Sequence, residues 1–184
     1  MVKVRGVWTV LVASALVAVP GVARAAGPPG LITSETTLKV GQTGLVRMES
    51  YDANFKVSRV PVSVAVIRIE KGNASDLNGK KLPASAKGLV PWYIHESYTW
   101  ANADFNGQIA DFSGMYSDGS GADAVIGAGN VGDCPAAPNE LKLTSKQRTV
   151  LACEVVLAHP GVPVVSAGAF FSNSEHDSFE VYWK

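Results

Sequence analysis

Val57-Ser58-Arg59-Val60-Pro61-Val62-Ser63-Val64-Ala65-Val66-Ile67-Arg68-Ile69 decides the fold. Side chains of an extended strand alternate between two faces. Val60, Val62, Val64 and Val66 therefore share one side, and Pro61, Ser63, Ala65, Ile67 and Ile69 share the other. Both sides are apolar or small. The stretch predicts a strand inside a sheet, with Pro61 confined to its start.

The flanking sequence is strand-like almost throughout. On the N-terminal side, Thr36 to Val40 is short and β-rich, and Gly41-Gln42-Thr43-Gly44 punctuates it. Leu45 to Tyr51 then alternates, with Val46 and Met48 opposite Arg47 and Glu49. On the C-terminal side, Lys71-Gly72-Asn73 closes the long strand, and Ser75 to Lys87 reads as a polar loop. Val90 to Trp100 follows, with Trp92, Ile94, Glu96, Tyr98 and Trp100 on one face. Tyr93, His95, Ser97 and Thr99 take the other. From Ala101 to Pro138 the chain is rich in Gly, Ala and Asp, with one short strand expected over Gln108 to Phe112. Ala122 to Ala128 has room for a turn of helix, weakened by Gly127 and Gly129.

Strand character resumes at Val150 to Ala158, where Leu151, Cys153, Val155 and Leu157 form the expected apolar face. Val162 to Phe171 follows the His159-Pro160-Gly161 turn, and Phe179 to Trp183 is a last strand. No window keeps helical periodicity. About seven strands with turn signals between them predict an all-β, antiparallel β-sandwich over 35–184.

The first 25 residues carry a different signal. Lys3 and Arg5 precede an apolar run from Val7 to Val22, and Ala23-Arg24-Ala25 is a small-x-small cleavage signature. This is the layout of a secretory signal peptide, with cleavage expected near Ala25. The alternative is a retained membrane anchor. The run is shorter than the roughly 20 residues a span needs, Pro20 and Gly21 break it, and no stop-transfer charges follow. No Cys follows it for lipid attachment. Residues 26–34, with Gly27-Pro28-Pro29-Gly30, read as a flexible leader. No later segment is long and apolar enough to span a membrane.

The 184-residue chain carries 16 basic and 16 acidic residues. Three of the bases lie in the signal, so the remaining 159 residues carry 13 bases against 16 acids, a net of −3. That balance argues against nucleic acid and anionic membrane surfaces as partners, because both need clustered positive charge. Cys134 and Cys153 are the two cysteines. In an exported chain such a pair reads as a disulfide, closing a loop of about 20 residues for roughly 3 kcal/mol. Buried free thiols, or metal or redox use, are the alternatives. A disulfide here would pin the Gly-rich 114–140 region against the core.

Catalytic signals are weak. The Gly-x-Ser-x-Gly elbow of a serine hydrolase does not occur. His95, His159 and His176 read as surface or strand residues. Asp104, Asp111, Asp118 and Asp123 supply carboxylates for wall-polymer hydrolysis, but they sit where Asp is common for turn reasons. Asn102, Asp104 and Asn106, with Gly107 and Ile109, follow the start of a calcium loop. Its twelfth position is Ser113, where a bidentate Glu is needed, so a hairpin turn with Asn106-Gly107 at its tip is the competing reading. Glu175-His176-Asp177 reads as a solvated turn, since adjacent side chains point apart. No cofactor is indicated.

Trp92, Tyr98 and Trp100, with Glu96, are the remaining candidate binding residues. Exposed, such a row is a platform for sugar rings or a protein partner. Turned inward, it is sandwich core, and Glu96 then needs a cationic partner such as Arg47 or Arg68.

The order of features carries a resemblance. Asp76-Leu77-Asn78-Gly79 and Pro91-Trp92-Tyr93-Ile94 follow the Val-rich strand. Cys134-Pro135 then precedes Leu151-Ala152-Cys153-Glu154-Val155-Val156-Leu157. Across most of residues 35–184 the chain resembles the exported, telokin-like immunoglobulin-fold proteins of actinobacteria, most without an assigned activity. The resemblance implies an extracellular immunoglobulin-like sandwich and supplies no catalytic residues. The chain departs from that pattern in Tyr98-Thr99-Trp100-Ala101-Asn102 and in the long Gly/Asp loop after it. The resulting expectation is a non-enzymatic secreted or envelope protein that binds an extracellular protein or a cell-wall polymer. The alternatives are a structural or antigenic envelope protein and, less favoured, a wall-polymer hydrolase.

Overall fold

The computed structural model describes residues 30–100, 105–125, 131–135, 141–144, 146, 148–172 and 178–184. The signal-peptide segment, Asn102, Asp104 and Glu175-His176-Asp177 lie outside the described residues. Among the described residues eleven strands run in chain order: β1 (Thr36–Leu38), β2 (Gly44–Tyr51), β3 (Val57–Lys71), β4 (Val90–Thr99), β5 (Phe105–Gly107), β6 (Phe112–Met115), β7 (Ala124–Val125), β8 (Leu141–Leu143), β9 (Thr149–Ala158), β10 (Ser166–Ser172) and β11 (Ser178–Trp183). One sheet has the order β2-β3-β4-β9-β7 and a second β1-β11-β10-β6, with β5-β8 as a small separate ribbon. The two large sheets pack face to face as an immunoglobulin-like β-sandwich. The pairing is antiparallel except for β1 with β11, which is parallel.

The long Val-rich strand lies between β2 and β4, as its two apolar faces predict. Val62, Val64 and Val66 are fully buried between the sheets. The strand does not keep one phase. A bulge between Val66 and Arg68 shifts the register, so Ile69 pairs with Ile94 and packs against the core while Ile67 is left 44% exposed. An extra residue in one strand reverses the alternation beyond it. Pro61 lies inside β3, opposite Arg47 of β2, and β4 begins to pair only at Ser63. With a neighbour on one side alone, its missing N–H is least costly there.

The apolar face of β9 differs from the expectation. Directly paired residues of an antiparallel ladder point to the same side. Glu96 pairs with Ala152, Trp92 with Val156, and Val90 with Ala158, so the even-numbered residues face the sandwich interior. Cys153 and Val155 point outward instead. They are buried under Val131 and Cys134, against Tyr93, in a second small core. Leu151 has no such cover and is 67% exposed. The Cys134–Cys153 disulfide is formed, with a Cα–Cα distance of 5.5 Å. It fastens the 131–135 segment to the outer side of β9. Gly132 is needed there: at φ 53° a Cβ would meet the Tyr93 hydroxyl.

Other local expectations change too. Of the stretch from Ala122 to Ala128, Ala124–Val125 form the short strand β7, and 126–128 lie outside the described residues. The strand expected over Gln108 to Phe112 becomes β5 and β6 on either side of it. The 75–87 loop contains two single 3-10 turns, Ala74–Leu77 and Ala84–Ala86. The chain joins the fold ahead of residue 35, because Leu31 bridges Leu45 and Ile32 packs against the core.

Candidate functional site

The aromatic row on β4 faces inward. Tyr98 is fully buried, Glu96 is 1% exposed and Trp100 is 6% exposed. Trp100 stacks near Phe105 at 5.9 Å between ring centres. These three residues therefore form no exposed platform. The reason is register: their neighbours on β3 and β9 are the buried valines and Ala152, so an outward row would expose the whole core. Trp92, at the start of the strand, is half-buried. It lines a separate cavity of about 490 Å³ with Lys71, His159 and Pro163.

Glu96 does not receive a cation. Arg68 pairs with Glu70 at 3.1 Å, and Arg47 is on the surface. The Tyr98 hydroxyl donates to Glu96 Oε2 at 2.8 Å, and Oε1 has no partner. Burial pushes the Glu96 carboxyl well above the usual carboxylate range, overriding the Tyr98 hydrogen bond, and the Glu154 and Asp111 charges add to the rise. That rise favours the neutral acid, which needs no cation. Glu154 of β9 also points inward and accepts from the Phe112 N–H at 2.6 Å. Burial holds its carboxyl up at about 7.

The other sequence candidates scatter. Asn106 and Gly107 lie in β5, paired with Lys142 and Leu141, and not at a hairpin tip. Gly107 is required by close approach, since a Cβ would lie 2.1 Å from the Glu49 carbonyl oxygen. Asp118 accepts from the Ser120 N–H and hydroxyl in a local turn. Asp123 pairs with His159 at 3.3 Å and accepts from the Tyr116 hydroxyl. His95 contacts Glu70 at 2.8 Å. Asp111 is exposed. Among the described residues, no three His, Cys, Asp or Glu side chains are placed to hold a metal ion.

A groove on the surface collects a more coherent set. The β2–β3 hairpin turns through Asp52 to Lys56. The Asp52 carboxylate accepts from the Asn54 and Lys56 N–H groups at 2.8 and 2.9 Å, and Phe55 N–H donates to the Asp52 carbonyl at 3.0 Å. This scaffold holds Phe55 at φ 60° with its side chain 85% exposed. A left-handed backbone costs a non-glycine residue about 1–2 kcal/mol. Across the groove, β10 outruns β6: their pairing stops at Ala169 with Phe112, while Phe170 to Ser172 continue to pair with β11. Phe170 points outward, 68% exposed.

Arg47, Glu49, Tyr51, Gln108, Phe170 and Ser172 line an open groove of about 560 Å³ between these elements. Tyr51 and Gln108 also line an adjoining cavity of about 520 Å³ with Phe55, Asn106 and Gly107, so the two run together. Glu49 is braced by Arg59 at 3.0 Å and accepts from the Tyr51 hydroxyl at 3.2 Å. That hydrogen bond and the Glu49 charge raise the Tyr51 hydroxyl above its ordinary pKa. Asn106 Oδ1 is buried and has no hydrogen-bond partner among the described residues. The groove thus offers exposed ring faces and fixed polar groups.

Of the sequence candidates, only Asn106 belongs to this groove. Tyr51, Phe55, Gln108 and Phe170 were not singled out. Two signals were present. Phe55 interrupts a polar hairpin, Asp52-Ala53-Asn54-Phe55-Lys56, and the doublet Phe170-Phe171 in an alternating strand must turn one ring outward.

No protein-family model and no curated protein matches the chain. Among solved structures, it is similar to the crystal structure of MPT63, a secreted protein from Mycobacterium tuberculosis. The identity is 11% and the TM-score 0.49, with 86% of this chain and 99% of that chain covered.

Proposed function

We propose that this protein is exported and binds a cell-wall polysaccharide, without catalysis, in the groove between the β2–β3 hairpin and β10. The observation that carries the reading is the pair of outward rings, Phe55 and Phe170, on either side of Tyr51 and Gln108. Ring faces stack on the apolar faces of sugars, while hydroxyls fill fixed donors and acceptors. Gln108, Arg47, Glu49 and Asn106 supply those polar partners around Tyr51. Holding Phe55 exposed in a strained backbone is unfavourable for folding alone, and such strain concentrates at binding sites. Export rests on the charged start, apolar run and Ala23-Arg24-Ala25 signature of the N-terminus.

The test is sedimentation of the purified, disulfide-intact protein with insoluble cell-wall polysaccharide. Saturable retention, displaced by soluble fragments of the same polymer, supports the reading. No retention at any salt concentration refutes it, and capture by wall proteins alone would replace the polymer with a protein partner.

A further inference from the structure

The outward face of the four-stranded sheet carries a second feature, independent of the groove reading. Thr37 of β1, Tyr182 of β11, Gly168 of β10 and Ser113 of β6 are cross-strand partners in one row. Gly168 brings no side chain to that row, and its neighbours fill the space. A Cβ there would meet Met115 Cε at 2.5 Å, Tyr182 Cδ1 at 3.0 Å and Glu180 Oε1 at 3.2 Å, so these side chains converge over its backbone. A strand-interior glycine of this kind marks a place where another group approaches the backbone. Beside these side chains lies an open depression bordered by Glu35, Glu180, Tyr182 and Met115.

Its chemistry is one-sided. Two carboxylates, Glu35 and Glu180, border the depression together with one aromatic ring, Tyr182. Tyr182 donates its hydroxyl to Glu180 Oε2, and this bond, with the charges of Glu180 and Glu35, pushes that hydroxyl up to about 12. The ring therefore stays neutral with its electron-rich face available. The cation that borders the depression is Lys184, whose Nζ lies over the Tyr182 ring at 5.5 Å from its centre. An ammonium held over an aromatic face beside carboxylates is stabilised by the ring quadrupole and by Coulomb attraction together. The chain thus already places one ammonium group on this surface.

We propose that this depression binds an organic ammonium group, with Tyr182 supplying the ring face, Glu35 and Glu180 the negative charge, and Lys184 the internal cation that the ligand displaces. Charge complementarity selects the class: an anion would meet two carboxylates, and an uncharged alcohol would leave them without a partner.

The experiment is an amide-resolved NMR titration of the full protein with n-butylammonium chloride and, separately, choline chloride. n-Butanol and sodium chloride are the controls. Saturable shifts centred on Tyr182, Gly168 and Ser113, with a millimolar midpoint as expected for one exposed cation–π contact plus ion pairing, support the site. The midpoint should weaken roughly threefold or more in Glu35→Gln and in Glu180→Gln, and tighten in Lys184→Met, where the competing cation is gone. Glu35 is fully at the surface, so its variant retains the fold even if Glu180→Gln does not. Equal shifts with n-butanol, or a midpoint unchanged in Glu35→Gln and Lys184→Met, would overturn the proposal. Neither result bears on polysaccharide retention by the groove.

Discussion

The Tyr98 hydroxyl donates to Glu96 Oε2 at 2.8 Å in the middle of the sandwich, two residues along the same strand. Both side chains are buried, and the nearby charges are the carboxylates of Glu154 and Asp111. Burial and those charges raise the Glu96 carboxyl and favour its protonated form. Glu96→Gln therefore retains most of the stability at pH 7, since it replaces one neutral acceptor by another. Tyr98→Phe strips Glu96 of its donor and costs about 1–3 kcal/mol, the penalty for an unsatisfied buried polar group. Chemical denaturation of the two variants checks the contrast. Glu96→Gln losing as much as Tyr98→Phe would mean that the acid is ionised.

Glu154 sets the pH dependence. The unfolded chain ionises this acid near its ordinary value of 4.5, whereas the folded chain keeps the proton up to about 7. Folding holds a proton across that window, so stability falls as pH rises from about 4.5 to about 7. The side chain is not fully enclosed, and allowing for solvent screening the loss is on the order of 1–2 kcal/mol. Glu154→Gln still accepts from Phe112 and has no proton to lose. Its thermal melts should change less than wild type between pH 5 and pH 7.5, and it should be the more stable of the two at pH 7.5. An unchanged pH profile would contradict this assignment.

The sandwich was legible because strand periodicity is local. The Val57–Ile69 run, the alternation of Leu45–Tyr51 and the row on β4 each announce a strand without reference to the rest of the chain. What decides the inward face is pairing. In β9 both faces are apolar, and only the register with β4 shows that Ala152, Val156 and Ala158 face the interior while Cys153 and Val155 lie under the 131–135 segment. The bulge at Ile67 is also invisible to strict alternation. The groove was illegible for a similar reason: Tyr51, Gln108 and Phe170 are far apart in sequence and meet only because β10 outruns β6.

Gly107 tests how β5 sits on β2. Its Cα faces the Glu49 carbonyl so closely that a methyl group cannot enter without moving one backbone. Gly107→Ala should cost about 1–3 kcal/mol, as overpacking against backbone does, and it should disturb the cavity shared by Tyr51 and Asn106. Denaturation midpoints check the first effect. A stability equal to wild type would show that the ribbon moves freely against β2.

The disulfide should stabilise by roughly 3 kcal/mol through its loop of about 20 residues. It holds Cys134 and Val131 over Tyr93 and Val155, outside the sandwich interior. Cys134→Ala with Cys153→Ala should therefore lower the melting temperature while keeping the β-sheet circular-dichroism spectrum. Loss of the folded spectrum at 25 °C would mean that the sandwich depends on this outer core.

The central claim rests on two exposed rings, and the direct measurement is a binding isotherm on purified cell-wall polysaccharide for wild type and for Phe55→Ala/Phe170→Ala. Both side chains lie largely in solvent, so the double variant should melt at or above the wild-type temperature. Its affinity should fall at least tenfold, given that stacking one sugar ring contributes on the order of 1 kcal/mol. Equal affinity in a folded double variant would contradict the assignment of the groove.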